Sequence, residues 1–290
     1  MKRSGFFMIL SMVIFGTISF FVRYLTLPSA EIALYRSVIA VFPIGIFLLL
    51  TGRKKRNDAT GNAVKKKEIL LLVCSGAALG INWILLFEAY RYTTVSTATL
   101  CYYIAPVIVT AISALLFHEK STKLQWACFL MSAIGFLFLT GFSDLQKDGR
   151  GIVFGVSAAI FYALVVLLNK GMSDMTGLRK TFWQLISASV ILLPYVAFSE
   201  GFHLPLTDFY GWAALLTLGL LHTGVAYCLY FTAIADLKGH QIAILSYIDP
   251  LVAVLISVLV LSEGMTFLQV IGGGLILGFS LLNGWISSKK

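Results

Sequence analysis

The sequence predicts an all-α polytopic membrane protein: ten transmembrane helices in two inverted five-helix repeats, with both termini cytoplasmic. Three observations lead there. The chain has 290 residues, 59% hydrophobic and only 12% charged, with a mean hydropathy of +0.90. Soluble proteins are about 25% charged, so the polar residues here are too few to coat a surface in water. Apolar runs of about 20 residues, long enough to cross a bilayer, recur along the chain, and a backbone in lipid satisfies its own hydrogen bonds by becoming helical. Finally, one passage is written twice. Residues Ala89 to Glu119 return as Ala233 to Glu263 at a gap-free shift of about 144 positions. The shift pairs Tyr103 with Tyr247, Ile104 with Ile248, Pro106 with Pro250, Ser113 with Ser257, Glu119 with Glu263 and Gln125 with Gln269. Chance matching of apolar helices favours Leu, Val and Ala; it does not favour a shared Pro and a shared Glu.

Met1-Lys2-Arg3-Ser4 before an apolar run has the look of a signal peptide, but the run continues to about Leu25 with no clear small-residue cleavage site. It is the first span. The spans fall at roughly 5–25, 29–51, 68–89, 94–117, 121–141, 150–170, 178–199, 209–233, 237–261 and 264–286. Several connections are a few residues long, which makes neighbouring helices antiparallel hairpins. Five spans per half is an odd number, so the second repeat, 145–290, is inverted relative to the first, 1–144. Spans 1 and 6 support the pairing through Ser11, Ile14 and Phe15 against Ser157, Ile160 and Phe161; spans 2 and 7 set Tyr35-Arg36 against Trp183-Gln184. Inverted repeats are a transporter architecture with the substrate site near mid-membrane between the halves.

The basic residues orient the chain. Lys2, Arg3, the Arg53–Arg56 and Lys65–Lys67 clusters, Lys120, Lys123, Lys170, Arg179, Lys180, Lys238, Lys289 and Lys290 gather on one face. Arg91, Lys147 and Arg150 stay on the other, while Arg23 and Arg36 lie within or near spans. The rich face is cytoplasmic by the positive-inside rule. The net charge of +9 thus reports topology and contact with anionic lipid, and not a nucleic-acid partner. Cys74, Cys101, Cys128 and Cys228 lie in apolar runs without CxxC spacing, so they read as small buried hydrophobes. His118-Glu119 opens an H-E-x-x-H string that fails at Thr122. Gly272-Gly273-Gly274 has no following Lys-Ser/Thr, so it is no P-loop. No cofactor or metal is expected, and no ATP-driven motor.

Taken together, the ten spans, the duplication and the repeated spacing Pro106…Glu119 and Pro250…Glu263 resemble the EamA-type carriers of the drug/metabolite transporter superfamily. The resemblance covers essentially the whole chain. It implies a ten-helix alternating-access carrier with a central cavity, often an exporter, and says little about substrate: such carriers move amino acids, nucleotide precursors, amines or other small metabolites. An aliphatic or small residue commonly precedes each proline in these carriers; here the second copy has Asp249.

Ionisable groups in a bilayer each cost a few kcal/mol, so each needs a reason. Asp249 precedes Pro250, which cannot donate to the carbonyl a turn earlier, so a loosened backbone beside a carboxylate can hold a cation, a substrate amine or a proton. The alternative is a hydrogen bond to a neighbouring Ser or Tyr that locks the helix; the partner position Ala105 favours function, since a symmetric structural role would keep a polar group in both copies. Arg36, about two turns into span 2, suits a substrate carboxylate or neutralises Glu88. Glu88 and Arg91, near the outer end of span 3, are candidates to pair with each other, or with Arg23 or Arg36, as an extracellular gate; the alternative is interfacial charges that reach water by snorkelling. Trp83 aligns with Tyr227 and Tyr103 with Tyr247; aromatic faces there would receive a ring or an ammonium group, with Tyr102, Tyr90, Phe161 and Tyr162 able to join. Tyr90 and Tyr92 are expected in the interfacial aromatic belt. His222, inside span 8, is either a proton shuttle or a neutral packing residue. Glu31 suits the dipole of the first turn of span 2, and Glu119 and Glu263 are expected to cap the helices that follow them. The Gly272–Gly274 run and the Ser/Thr-rich start of span 4 (Thr93, Thr94, Ser96, Thr97, Thr99) point to close helix packing.

The function expected is secondary active transport of a small amphipathic metabolite, an amino acid or amine, as an exporter with proton coupling or exchange. The setting is a bacterial inner membrane, and the protein a monomer or homodimer. A passive channel and a membrane-embedded lipid-processing enzyme are the alternatives; the singly scattered acids argue against the enzyme, which would need clustered carboxylates to hold a metal-bound diphosphate.

Overall fold

The computed structural model describes residues 2–52, 66–105, 108–109, 112, 122–140, 145–170, 172, 177–199, 201–203, 209–234, 237 and 245–287. Among these, all regular structure is helical. The first half carries α1 (Lys2–Gly16), α2 (Ile18–Arg23), α3 (Ser29–Gly52), α4 (Lys66–Tyr92), α5 (Val95–Tyr102) and α6 (Lys123–Thr140). The second carries α7 (Leu145–Lys170), α8 (Gly177–Ser199), α9 (Phe209–Leu216), a π-helical segment (Thr217–Val225), α10 (Ala226–Ile234), α11 (Ile248–Leu259) and α12 (Phe267–Ser287). Pro106, Glu119, His118, Ser113, the Arg53–Arg56 cluster, Lys65, Lys120, Lys238 and Lys289–Lys290, named above, lie outside the described residues.

Among the described residues, six stretches are long and apolar enough to cross a membrane: Arg3–Arg23, Ser29–Leu50, Glu68–Tyr92, Gly149–Asn169, Gly177–Phe198 and Phe209–Ala233. Lys123–Phe138, Ile248–Leu259 and Phe267–Asn283 are shorter apolar helices. Large apolar side chains such as Phe42, Leu49, Phe198 and Leu259 point outward, the mark of a surface solvated by lipid. The protein is a multi-pass membrane protein.

Two expected spans are interrupted at the repeated tyrosine. α5 ends at Tyr102 and the chain turns at Tyr103–Ile104, while Tyr247 forms the turn that precedes α11. This corrects the picture of Pro250 loosening a continuous helix. Asp249 and Pro250 occupy the first turn of α11, where a proline's missing N–H has no intrahelical partner to lose. The first span also breaks, at Thr17 between α1 and α2.

The helices pack in pairs that exchange between halves. α4 lies against α7 as α10 lies against α1; α3 lies against the π segment as α8 lies against α4; α5 lies against α7 as α11 lies against α1. Three contacts join corresponding elements: α3 with α8, α5 with α11, and α6 with α12. Glycine makes several of these approaches possible. A Cβ on Gly135 would sit 2.8 Å from the Gly272 carbonyl oxygen, which bears out the close packing expected of the Gly272–Gly274 run, and one on Gly151 would sit 2.6 Å from Thr93 Cβ.

At Gly76 an added Cβ would fall 2.6 Å from Ser187 Cβ and 2.7 Å from the Gln184 carbonyl, whereas nothing lies within 4 Å of the same position on Gly274. Gly76→Ala is therefore expected to destabilise the detergent-purified protein by about 1–3 kcal/mol, the usual cost of overpacking. Gly274→Ala leaves the thermal midpoint unchanged or raises it slightly. Equal midpoints for the two variants would contradict the α4–α8 contact.

Candidate substrate chamber

Arg36 stands on α3 with its side chain buried, 3% exposed. Its Nε donates to Thr223 Oγ1 at 2.6 Å, and its guanidinium lies over the rings of Trp83 at 4.3 Å and Phe87 at 5.7 Å. Thr223 reaches it because the π segment widens that turn: the same hydroxyl donates to Leu218 O at 2.9 Å, five residues back. Among the described residues no carboxylate lies within ion-pair distance of Arg36. A cation–π contact is worth about 2 kcal/mol when desolvated, against several kcal/mol for burying the charge.

Asp249 faces the same interior from α11. Tyr103, at the break after α5, donates its hydroxyl to Asp249 Oδ2 at 2.5 Å, and the rings of Tyr103 and Tyr247 lie 6.3 Å apart. The hydrogen bond to tyrosine foreseen as the packing alternative is thus present, and it comes from the other half of the chain. Gly16, at the end of α1, allows the approach: a Cβ there would lie 2.6 Å from the Asp249 carbonyl oxygen.

A group of tyrosines is coupled electrostatically to the cation, the carboxylate or both. Tyr90 and Tyr227 lie within electrostatic reach of both Arg36 and Asp249, Tyr102 interacts with each as well, and Tyr162 lies near Asp249. Tyr102 packs on Tyr162 at 5.4 Å and Phe15 on Tyr227 at 5.3 Å. The structure therefore brings together Arg36, Trp83, Tyr103, Tyr227, Tyr247 and Asp249. Tyr90, a candidate both for the cluster and for the interfacial belt, is buried and lies within electrostatic reach of Arg36 and Asp249. Tyr92 is 42% exposed and stacks on Phe154, as a belt residue would.

His222 lies one residue from Thr223 and within electrostatic reach of Arg36. Its Nδ1 faces the Thr217 carbonyl oxygen at 3.1 Å, which can only accept, so Nδ1 carries the hydrogen. Nε2 meets Thr17 Oγ1 at 2.8 Å. The ring pins the α1–α2 break to the π segment behind the arginine and does not line the chamber beside Asp249. Thr223 and Thr17 escaped the sequence reading, although a hydroxyl next to His222 in an apolar span was a readable signal.

Glu88 is not in the chamber. It contacts Arg91 at 3.5 Å at an exposed position, and Arg91 donates to the Leu27 carbonyl. The Glu88–Arg91 pairing named as a candidate is thus present, and a second ion pair, Arg23–Glu263 at 2.5 Å, joins the two halves nearby. Glu263 is also an acceptor for Val95 N–H at 2.8 Å and for the Ser257 hydroxyl, while Ser96 N–H donates to Ser257 Oγ at 3.2 Å. Thus Glu263 caps α5, in the other half, and not the helix that follows it. That helix has its own cap: Thr266 and Gln269 exchange backbone-to-side-chain bonds at 2.8 and 3.2 Å, and Thr122 and Gln125 do the same ahead of α6 at 2.9 and 3.2 Å. Glu31 sits in the first turn of α3 as expected, fully buried, and accepts from Tyr35 at 3.0 Å and from the His203 backbone at 2.8 Å.

Glu263→Gln is expected to loosen this clamp. It removes the Arg23 ion pair at a cost of about 1–3 kcal/mol. In a Cys74→Ser background, it should also make Ser96→Cys reactive to a membrane-impermeant thiol reagent. Labelling of Ser96→Cys at the same rate with Glu263 intact would refute a closed end.

The sequence profile of the EamA-like transporter family matches the chain twice, over residues 3–141 and 149–285. The chain is 30% identical over 253 residues to the uncharacterized transporter YxxF of Bacillus subtilis (strain 168), covering 86% of this chain and 79% of that one. It is 31% identical over 278 residues to an uncharacterized transporter of Archaeoglobus fulgidus, covering 94% and 93%. Protein PecM of Dickeya dadantii is 26% identical over 264 residues, with 89% and 84% covered. A solved crystal structure shares the fold with a TM-score of 0.64 at 16% identity, covering 96% of each chain. The chain belongs to the EamA-like transporter family.

Proposed function

We propose that the protein is a secondary active carrier for a small zwitterionic metabolite, an amino acid before any other, and that it works by alternating access of two inverted five-helix halves. One observation carries the substrate class: a buried guanidinium with no carboxylate partner among the described residues shares two tyrosines, Tyr90 and Tyr227, within electrostatic reach with the carboxylate of Asp249. A ligand with its own carboxylate and ammonium would complete both sites, the carboxylate on Arg36 as a charge-assisted hydrogen bond and the ammonium on Asp249. The aromatic lining would receive the apolar side chain. Oδ2 of Asp249 is held by Tyr103, which leaves Oδ1 for the ammonium or for a coupling proton.

Packing that exchanges between halves supports the inverted repeat and the ten spans, and so does the double match to the family. Interruption of both repeated helices at the chamber is the arrangement in which carriers place substrates at mid-membrane. Placement of both termini on the cytoplasmic side follows from the charge distribution of the loops; export with proton coupling or exchange, across a bacterial inner membrane, is part of the proposal. The reading is not that of an enzyme.

The test is a thermal-shift screen of purified protein against amino acids, simple amines and simple carboxylates at two pH values. A ligand that binds the folded state raises the midpoint, by about 2.7 kcal/mol of stability at a hundred times its Kd. Zwitterions should stabilise more than either single-charge class, and both Arg36→Gln and Asp249→Asn should abolish the effect. In proteoliposomes Asp249→Asn should stop counterflow or remove its pH dependence. Stabilisation by amines alone, surviving Arg36→Gln, would remove the carboxylate from the substrate.

A further inference from the structure

A second polar cavity lies at the clamped end of the bundle, outside the chamber. It measures about 280 Å3 and is lined by Val22, Arg23, Leu25, Tyr90 and Arg91. Two of the five lining residues carry guanidinium groups and none is acidic; each guanidinium has one carboxylate neighbour, Glu263 for Arg23 and Glu88 for Arg91, so what the cleft presents to a ligand is N–H donors on its wall. We propose that it is an anion site in its own right, which takes the carboxylate of a small free solute at the mouth of the chamber.

Donor inventory supports this. A guanidinium offers five N–H donors in a planar fork suited to a carboxylate. Among the described residues, Arg23 spends only Nη2, on Glu263, Tyr90 O at 3.3 Å and Thr93 O at 3.2 Å. Three acceptors share the two hydrogens of that nitrogen, and Nε and Nη1 remain for a ligand. Arg91 is held through Nη2 by the Leu27 carbonyl, and its Nη1 contact to Glu88 is 3.5 Å long, at the edge of a hydrogen bond. Both side chains are partly open to solvent, 35% and 40% exposed. The volume sits near the lower end of small-molecule sites, about 300 Å3, and so suits a solute of acetate to amino-acid size.

Position gives the site a consequence. Tyr90 is a wall common to both cavities: its carbonyl holds Arg23, and its ring lies within electrostatic reach of Arg36 and Asp249. A carboxylate on Nε and Nη1 of Arg23 shares the positive charge that Glu263 holds through Nη2, so occupancy of the cleft weakens that pair without taking its donor. That role as an antechamber rests on the carrier reading; the binding itself does not, and the experiment reads binding.

The probe is 13C-acetate, followed by saturation-transfer NMR on the full chain in phosphatidylcholine nanodiscs. Wild type should transfer saturation to acetate. Arg91→Gln should weaken it about tenfold, one charge-assisted hydrogen bond, while Arg91→Lys retains part of it and shows that the fold survives. Arg36→Gln should leave the transfer in place. Three results would overturn the proposal: no transfer in wild type, transfer lost in Arg36→Gln but kept in Arg91→Gln, or transfer abolished in phosphatidylglycerol nanodiscs. The second would assign acetate to the chamber, and the third would make the site a pocket for the phosphate of a lipid headgroup. Failure of the carrier reading would show separately, as an empty ligand screen with acetate transfer intact.

Discussion

In hydrocarbon a backbone N–H or C=O has no water to turn to, and the placement of polar residues in this protein follows from that constraint. The chain breaks two helices inside the bundle, at Tyr103 and at Tyr247, and each break frees backbone groups that need partners. Ser280 of α12 donates to the Tyr103 carbonyl at 3.4 Å. Glu263 takes the N–H of Val95 at the start of α5, and Ser257 takes that of Ser96. Asp249 stands in the first turn of α11, where a carboxylate is favoured by the helix dipole. Acids that look out of place in an apolar sequence are therefore set against helix starts, which lowers the cost of keeping a charge available for other work.

Duplication supplies the scaffold, and the departures from it supply the polarity. Tyr103 and Tyr247 are the same residue in both copies and meet across the interface between halves. Ala105 against Asp249, Gln184 against Arg36 and Trp83 against Tyr227 are not matched. Gln184 spends its amide on Ser75 and Asn169, both at 2.6 Å, in a closed packing cluster, while Arg36 faces the chamber. Thus the position that in α8 ties that helix to α4 and α7 through a neutral amide carries an unmatched cation in α3. A symmetric pair of sites would recognise two identical ends of a ligand; an arginine opposite an aspartate suits a ligand whose ends differ.

Hydropathy made the spans legible, since chain length through lipid is a matter of composition. The repeat made Tyr103 and Tyr247 legible because duplication preserves positions. What stayed hidden depends on rotation and on distance along the chain. Tyr90 and Tyr92 lie two residues apart at one helix end, and only the helix's rotation decides that one is walled in and the other stacks outside on Phe154. Glu263 reaches Val95 and Arg23 across the whole sequence, so local reasoning assigned it to its own neighbour, a task already done by Thr266 and Gln269. The π segment has no composition that marks it; Gly219 and Gly224 press against Ile39 and Pro43 of α3, and that packing is a tertiary fact.

Closing one end of a carrier requires an interaction strong enough to hold and weak enough to release. The Arg23–Glu263 pair is partly exposed, 35% and 10%, and pairs of that kind contribute about 1 kcal/mol. The bonds from Val95 and Ser257 to Glu263 and from Ser96 to Ser257 add roughly 1 kcal/mol each. A clamp of about 3–4 kcal/mol keeps the end open for something like one part in several hundred, a population that a ligand's differential affinity can readily invert. A fully buried pair would cost about 3–5 kcal/mol to break by itself and would hold the chain in one state. Leaving the closing arginine half in water, beside a cleft that a competing carboxylate can enter, sets the clamp at a strength that binding can overcome. Ser262 adds to this balance: its left-handed backbone, φ 54°, costs about 1 kcal/mol at the turn that carries Glu263 back towards α5.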